Sequence, residues 1–355
     1  MKVFQCSNCN FPVFFENTMC QNCGSALGYL SSSNQIISKY TNQSTWSING
    51  QHYGYCQNYA LQACNWLVPV NHTSGFCDSC NLNRTIPNLS VPEYFERWQK
   101  MEGAKHRLIY SLERLGLPVQ SKFEHEVSGL LFDFLSEEDA RAEGKQVMTG
   151  HANGVITILL AEADAVSREQ IRKSLNEKYR TLIGHFRHEV GHYYWELIFK
   201  NNDNLLADFR AIFGDERQDY SEALKRHYAN GAPANWKSYF ISQYASCHPW
   251  EDWAETWAHY LHILDALETA YYFGLEGKPK LNNSPHMDIY PVFPYDNEMS
   301  FKRIIDAVSP LFYAVNSINR SMGLSDVYPF VISDAVEKKL EFIHFTLQNY
   351  RKNLA

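Results

Sequence analysis

The stretch His188-Glu189-Val190-Gly191-His192 decides how this chain is organised. Apolar residues recur around it at helical spacing, so the stretch predicts a helix. Residues four apart on a helix lie on one face, which lets His188 and His192 offer two imidazoles to a single metal ion. Glu189 then lies beside the first ligand, where a carboxylate can take a proton from a zinc-bound water. A buried helix whose two histidines are satisfied by hydrogen bonds is the alternative interpretation.

A second acidic stretch, His248-Pro-Trp-Glu-Asp-Trp-Ala-Glu255, supplies the residues that a zinc site would still need. The proline near its start favours a helix that begins here. A site with two histidines requires a third protein ligand. In gluzincins this ligand is a Glu on a later helix, followed four residues on by an acid that orients a ligand histidine. Glu251 as the ligand and Glu255 as the orienting acid match that pattern.

Other residues near these motifs stay open as the third ligand. They are His248, Glu255 and His259. His185, one helical turn before His188, can also approach the metal. The metzincin pattern HExxHxxGxxH is excluded, because Trp195 stands where it requires Gly and Ile198 where it requires His.

Eight of the nine cysteines lie before residue 81, and their spacing is that of a metal framework. Two CxxC knuckles predict a tetrahedral four-sulfur zinc site formed by Cys6, Cys9, Cys20 and Cys23. A second such site is predicted from Cys56, Cys64, Cys77 and Cys80. Spacing alone leaves the pairing among the eight cysteines open. With all four positions filled by protein, both zinc ions are expected to be structural. Disulfides are the alternative, which the absence of a recognisable secretion signal disfavours.

Composition narrows the partners that we expect. Hydrophobic residues make up 45% of the chain and the net charge is −7, which argues against general nucleic-acid or membrane-surface binding. Residues 1–90 carry only Lys2, Lys39 and Arg84 as basic residues, too few to neutralise phosphates, so the cysteine-rich region is expected to be a structural or protein-docking module instead. No apolar run is long enough for a membrane span and no secretion signal is seen, so we expect a cytoplasmic protein.

The helical pattern from Pro92 to about Leu115 marks the start of a second domain. We therefore predict a zinc-ribbon module over residues 1–88 and a metallopeptidase domain over 89–355. Gly129–Leu135 and Gly154–Leu160 are predicted strands. Gly154–Leu160 is the candidate sheet edge, to which an extended peptide can add by backbone hydrogen bonds. Further helices are predicted at 167–179, 205–213, 219–229, 301–322 and 333–351.

A peptidase also needs a donor for the oxyanion of its tetrahedral intermediate, besides zinc. Tyr313, Arg320 and Tyr328 are candidates by side-chain chemistry. Each of the three is more typical of a structural residue, so the donor stays open.

The chain resembles the bacterial zinc-binding metallopeptidases that carry an N-terminal zinc-ribbon domain. The resemblance is carried by the two CxxC knuckles and by the runs 64–69, 77–87, 187–195, 213–216, 248–262 and 319–323. It implies an α+β fold, in which the cysteine-rich zinc ribbon precedes a mainly helical, gluzincin-like domain with a small β-sheet. The HExxH and EDWAE patterns show no departure from the family.

These observations predict a zinc-dependent metallopeptidase that acts on a peptide or protein. One catalytic zinc is expected on His188, His192 and Glu251, with Glu189 as the general base. One alternative is a regulatory or partner-binding protein on a metallopeptidase scaffold, which recruits its partner through the cysteine module. Another is a zinc amidohydrolase that acts on a non-peptide amide.

Overall fold

The computed structural model describes residues 1–39, 44–136, 138, 149–174, 180–281 and 284–353. The chain divides into two compact units. The first comprises Met1–Arg114 and Pro118–Ser167, and the second comprises Leu115–Leu117 and Arg168–Ala355. A cysteine-rich region of small sheets is followed by a mostly helical region, which confirms the α+β prediction. The domain boundary at residue 88 stays a prediction.

Short antiparallel strands make up the cysteine-rich part of the first unit. They are β1 (Phe4–Gln5), β2 (Pro12–Val13), β3 (Ala26–Leu30), β4 (Gln35–Lys39), β5 (Trp46–Ile48), β6 (Gln51–Tyr55) and β7 (Leu67–Pro69). β1 pairs with β2, β3 pairs with β4, and β5, β6 and β7 form a three-stranded sheet. The buried rings of Phe15 and Trp66 pack against Tyr29, each with a centroid distance of 4.8 Å, so aromatic packing supplies part of the core of this region.

A four-stranded mixed sheet completes the first unit. Its strands are β8 (Asn83–Thr85), β9 (Leu131–Leu135), β10 (Gly150–Ala152) and β11 (Val155–Leu159), in the spatial order β10-β11-β9-β8. β9 is parallel to both of its neighbours and buried over most of its length, as expected for a central parallel strand. The sheet therefore joins a strand of the cysteine-rich region to strands more than forty residues further on.

The predicted edge strand is not at the edge. β11 pairs on one side with β9 and on the other with β10, so Gly154–Leu160 contains a strand as predicted, but the prediction that this strand is the sheet edge is wrong. The cause is a tight hairpin turn at Asn153-Gly154, where both residues have positive φ (49° and 77°). That turn folds the three-residue β10 back along β11. Among the described residues, β10 and β8 are the edges of this sheet.

The observed ends of two helices can be compared with the helix ends predicted from the sequence. α1 spans Pro92–Arg114, which confirms the predicted start and end. α2 spans Ala165–Ser174 and begins two residues before the predicted start at Ser167, because the Asp164 carboxylate accepts a hydrogen bond from the Ser167 amide at 2.7 Å. The remainder of the predicted helix, residues 175–179, lies outside the described residues.

The second unit is built from helices. They are α3 (Leu182–Phe199), α4 (Asp203–Phe213), α5 (Tyr220–Asn230), α6 (Pro249–Phe273), α7 (Phe301–Ser321) and α8 (Asp334–Lys352). Each begins and ends within a few residues of a predicted helix where one was predicted. None of the described helices is both long and apolar enough to cross a membrane.

α3 and α6 approach each other closely, and Gly191 is the reason. A Cβ at this position would lie 3.0 Å from the Trp257 ring and 3.2 Å from the Cα of Ala254. The Trp253 indole N–H donates to the Gly191 carbonyl oxygen at 2.9 Å, which locks the contact. Since Gly191 stands inside the HExxH motif, this contact brings the motif against the helix that carries Glu251 and Glu255.

Candidate metal centre

Three ligand atoms converge between α3 and α6. Glu251 Oε2 lies 3.0 Å from His188 Nε2 and 3.5 Å from His192 Nε2, and the two nitrogens are 3.2 Å apart. Ligands bound to one zinc at about 2.0–2.1 Å are expected at mutual distances of about 3.3 Å in a tetrahedral site. Glu251 Oε2 is buried, faces both imidazoles and has no other hydrogen-bond partner among the described residues. Two imidazoles and a carboxylate in this arrangement fit a zinc ion.

Glu189 is buried beside these ligands, with 8% of its surface exposed. Burial raises its pKa, while the neighbouring His188 and His192 oppose that rise. A carboxylate with a raised pKa is better matched to taking and returning a proton near neutral pH. Glu189 is therefore a buried carboxyl group with a raised pKa beside the three converging ligand atoms.

Glu255 holds the first ligand histidine. Its Oε1 lies 2.7 Å from His188 Nδ1, and the Ser242 hydroxyl donates to its Oε2 at 2.6 Å. Burial alone would raise the pKa of Glu255, but the hydrogen bond and charge of His188 lower it to about 2. A histidine that binds zinc is neutral, so His188 would then donate its Nδ1 proton to the Glu255 carboxylate and direct its Nε2 lone pair at the ion site.

Tyr220, on α5, holds Glu251, the candidate third ligand, and was missed by the sequence analysis. Its hydroxyl donates to Glu251 Oε1 at 2.6 Å. Oε1 is thus occupied and Oε2 is left facing the two histidines. Nothing in the spacing relates Tyr220 to the motifs, because the contact depends on the packing of α5 against the start of α6. Ser242 was missed for the same reason.

The other candidate ligands make different bonds. His248 caps α6, since its Nδ1 accepts from the Trp250 amide at 3.1 Å, and its Nε2 lies 3.2 Å from the Gln218 carbonyl oxygen. His259 Nδ1 lies 2.9 Å from the Tyr328 hydroxyl. His185 is not among the side chains whose ligand atoms converge in the described part of the chain.

The three candidates for the oxyanion donor have the contacts of structural or surface residues. Tyr328 is buried against His259. Arg320 forms a two-pronged ion pair with Asp326, at 2.6 and 2.7 Å. Tyr313 is 68% exposed on α7. These contacts lend no support to a catalytic role.

The eight N-terminal cysteines fall into two groups. The first cysteine site comprises Cys6, Cys9, Cys20 and Cys23, and the second cysteine site comprises Cys56, Cys64, Cys77 and Cys80. Neighbouring sulfurs are 3.6–3.7 Å apart in the first site and 3.7 Å apart, for Cys64 and Cys77, in the second. Four thiolates around one zinc are expected at about 3.8 Å. All described cysteines are free of disulfides.

Comparison with known proteins agrees with this arrangement. A family model described as "Putative zinc-binding metallo-peptidase" matches residues 94–346, and a zinc-ribbon domain model matches residues 3–91. The chain belongs to this zinc-binding metallo-peptidase family. Uncharacterized proteins of Mycobacterium bovis and Mycobacterium tuberculosis are 42% identical to it over 344 residues, which is 97% of this chain and 94% of theirs. No solved structure matches the chain. The family resemblance predicted from the sequence is thereby confirmed.

Proposed function

We propose that this protein is a zinc-dependent metallopeptidase that hydrolyses peptide bonds in a peptide or protein substrate. The observation that carries the proposal is Glu251 Oε2, a buried carboxylate oxygen that faces two imidazole nitrogens and, within the described part of the chain, no other proton donor. Leaving a buried carboxylate oxygen unpaired costs several kcal/mol, which a bound cation removes. Membership of the metallo-peptidase family supports the same reading.

The chemistry follows from the roles that the side chains are placed to take. His188, His192 and Glu251 would hold a zinc ion, which would supply a Lewis acid for the attacking water and the scissile carbonyl. Glu189 takes the proton from that water and delivers it to the leaving amine nitrogen. Glu255 keeps the proton of His188 on Nδ1, so that the imidazole orientation does not change during turnover.

The number of protein ligands separates the catalytic zinc from the structural ones. Three protein ligands leave a fourth tetrahedral position for water, as a catalytic site requires. Each cysteine site provides four thiolates and so leaves no position for water. We accordingly propose one catalytic and two structural zinc ions per chain. We separately propose that the protein is cytoplasmic and that its cysteine-rich module can dock a protein partner.

A substrate screen tests the proposal. Zinc-loaded, chelated and zinc-restored protein would each be incubated with a broad peptide library and a panel of non-peptide amides, and the products identified by mass spectrometry. We expect peptide cleavage that chelation abolishes and zinc restores. Cleavage of non-peptide amides alone would point to an amidohydrolase. Absence of any zinc-dependent cleavage would contradict the proposal and favour a binding role for the scaffold.

A further inference from the structure

The two cysteine sites differ in their access to solvent. In the first cysteine site Cys9 and Cys23 are partly exposed, whereas all four residues of the second cysteine site are buried. Four thiolates and one Zn²⁺ carry a formal charge of −2 (four negative charges and two positive). Water can solvate that charge at the first site, but at the second site the protein itself must supply the hydrogen-bond donors.

Backbone amides of the ribbon serve three of the four buried sulfurs. The Cys77 amide donates to Cys56 Sγ at 3.4 Å, the Trp66 amide to Cys64 Sγ at 3.4 Å, and the Cys80 amide to Cys77 Sγ at 3.5 Å. Cys80 Sγ is the exception. Among the described residues its polar contacts outside the cysteine site are with two side chains of α1, which begins just after the zinc-ribbon match ends at residue 91.

The first of these side chains is His106, whose Nε2 lies 3.5 Å from Cys80 Sγ. A cysteine that holds zinc is a thiolate and has no proton to give, so the proton of this contact must reside on His106 Nε2. The imidazole is 4% exposed and packs against the Trp66 ring with a centroid distance of 5.4 Å. Its position is therefore fixed by packing and not by the sulfur alone.

The second side chain is Glu102, whose Oε2 lies 3.7 Å from the same sulfur. A carboxylate so close to a thiolate needs compensation, and Glu102 Oε1 receives it from the Lys105 ammonium at 3.0 Å and the Asn83 amide at 2.8 Å. Both Glu102 and Lys105 are fully buried. Because a lysine already provides the cation, this carboxylate does not require a further metal ion. Glu102, Lys105 and His106 share one face of α1 at helical spacing.

We propose that His106 donates its Nε2 proton to the Cys80 thiolate, and that α1 thereby sets the zinc affinity of the second cysteine site. In the described part of the ribbon segment, backbone amides supply donors to three of the four sulfurs of the buried site. Hydrogen-bond partners of metal ligands are typically worth about 10–100-fold in metal affinity. The inference concerns a structural zinc and does not depend on the proposed peptidase activity.

Cysteine protection in the full-length protein tests this inference. Wild type, His106→Leu and His106→Gln would be exposed to a series of chelator concentrations, alkylated, and analysed cysteine by cysteine by mass spectrometry. We expect the second cysteine site of His106→Leu to lose protection at about 10–100-fold lower free chelator, with the first cysteine site unchanged as an internal control. His106→Gln retains an amide N–H near the Nε2 position and is expected to restore most of the protection. His344→Leu, which removes a buried histidine bonded to Tyr260, should change neither site.

Several results would overturn the inference. One is equal protection of the second cysteine site in wild type and His106→Leu. Another is a parallel loss at both cysteine sites, which would indicate general destabilisation. A third is a His106→Leu protein that holds one zinc ion fewer than wild type while the cysteines of its second site stay protected. That result would indicate a separate ion on Cys80, Glu102 and His106. If His106→Leu does not fold, an NMR spectrum that correlates the ring nitrogens and protons of His106 in the zinc-loaded wild type tests the proposal instead. A tautomer without a proton on Nε2 would contradict it.

Discussion

Tyr220→Phe isolates one hydrogen bond at the candidate catalytic centre. The substitution deletes a hydroxyl that donates to Glu251 Oε1 at 2.6 Å and leaves the ring in place. Glu251 is 1% exposed, so water cannot readily replace the lost donor. The carboxylate is then less well held with Oε2 directed at His188 and His192, and we expect the site to bind zinc more weakly.

The magnitude follows from the type of bond. A hydrogen bond to a charged group contributes about 1.5–3 kcal/mol. Each 1.4 kcal/mol corresponds to a factor of about ten in a binding constant. If the whole contribution is expressed in the zinc-bound state, the catalytic site of Tyr220→Phe should bind zinc about 10–140-fold more weakly. Losses of about 10–100-fold on removal of a ligand's hydrogen-bond partner are of the same size.

Chelator competition on the full-length protein measures this effect, with cysteine protection reporting separately on the two cysteine sites. Tyr260→Phe is the matched control, because it deletes a buried hydroxyl that contacts His344 Nδ1 at 2.8 Å elsewhere in the same helical unit. We expect Tyr260→Phe to lower stability and leave the zinc affinity of the catalytic site unchanged. Equal zinc affinity in Tyr220→Phe and wild type would refute the reasoning, as would an equal loss in both variants.

Three further predictions concern metal content, ligand orientation and pH. Wild type should hold three zinc ions per chain by elemental analysis and Glu251→Ala two, whereas three in both would exclude Glu251 as a ligand. Glu255→Ala should weaken zinc binding at the catalytic site about 10–100-fold by releasing His188 Nδ1, and an unchanged affinity would contradict that role. Burial, with the nearby Asp78 carboxylate, raises the pKa of Glu113 to about 8 from a usual value of 4.5, so the folded state keeps a proton that the unfolded chain has released. This contribution to stability is therefore present below about pH 4.5 and lost as the pH rises through about 8. Glu113→Gln stays neutral throughout, so it should abolish this pH-dependent loss, as measured by denaturant unfolding of both proteins across that range.

The site residues that lie one helical turn apart could be predicted from the sequence. His188 and His192, like Glu251 and Glu255, are separated by one helical turn, and such spacing places side chains on one face whatever else the chain does. The start of α1 at Pro92 carried its own local signal as well. The two motifs meet because α3 and α6 approach each other closely at Gly191. The sequence shows that a glycine stands at this position, but it does not show that another helix packs against it.

The remainder depends on contacts between distant segments. Tyr220 and Ser242 lie on elements whose packing brings them to Glu251 and Glu255, and no periodicity marks them beforehand. β10 was missed because a three-residue strand is too short for an alternating pattern to register. The contact of His106 with Cys80 was missed for the same reason. It depends on α1 packing over the second cysteine site, and so does the role proposed for His106.

The most direct test of the central claim is Glu189→Gln, with zinc content and peptide hydrolysis measured on the same samples. Glu196→Gln is the matched control, because it makes the same charge change two turns along α3 on a partly exposed side chain. We predict that all three proteins carry the same zinc content, that wild type and Glu196→Gln cleave peptides, and that Glu189→Gln does not. Full hydrolysis by zinc-loaded Glu189→Gln would contradict the proposed mechanism.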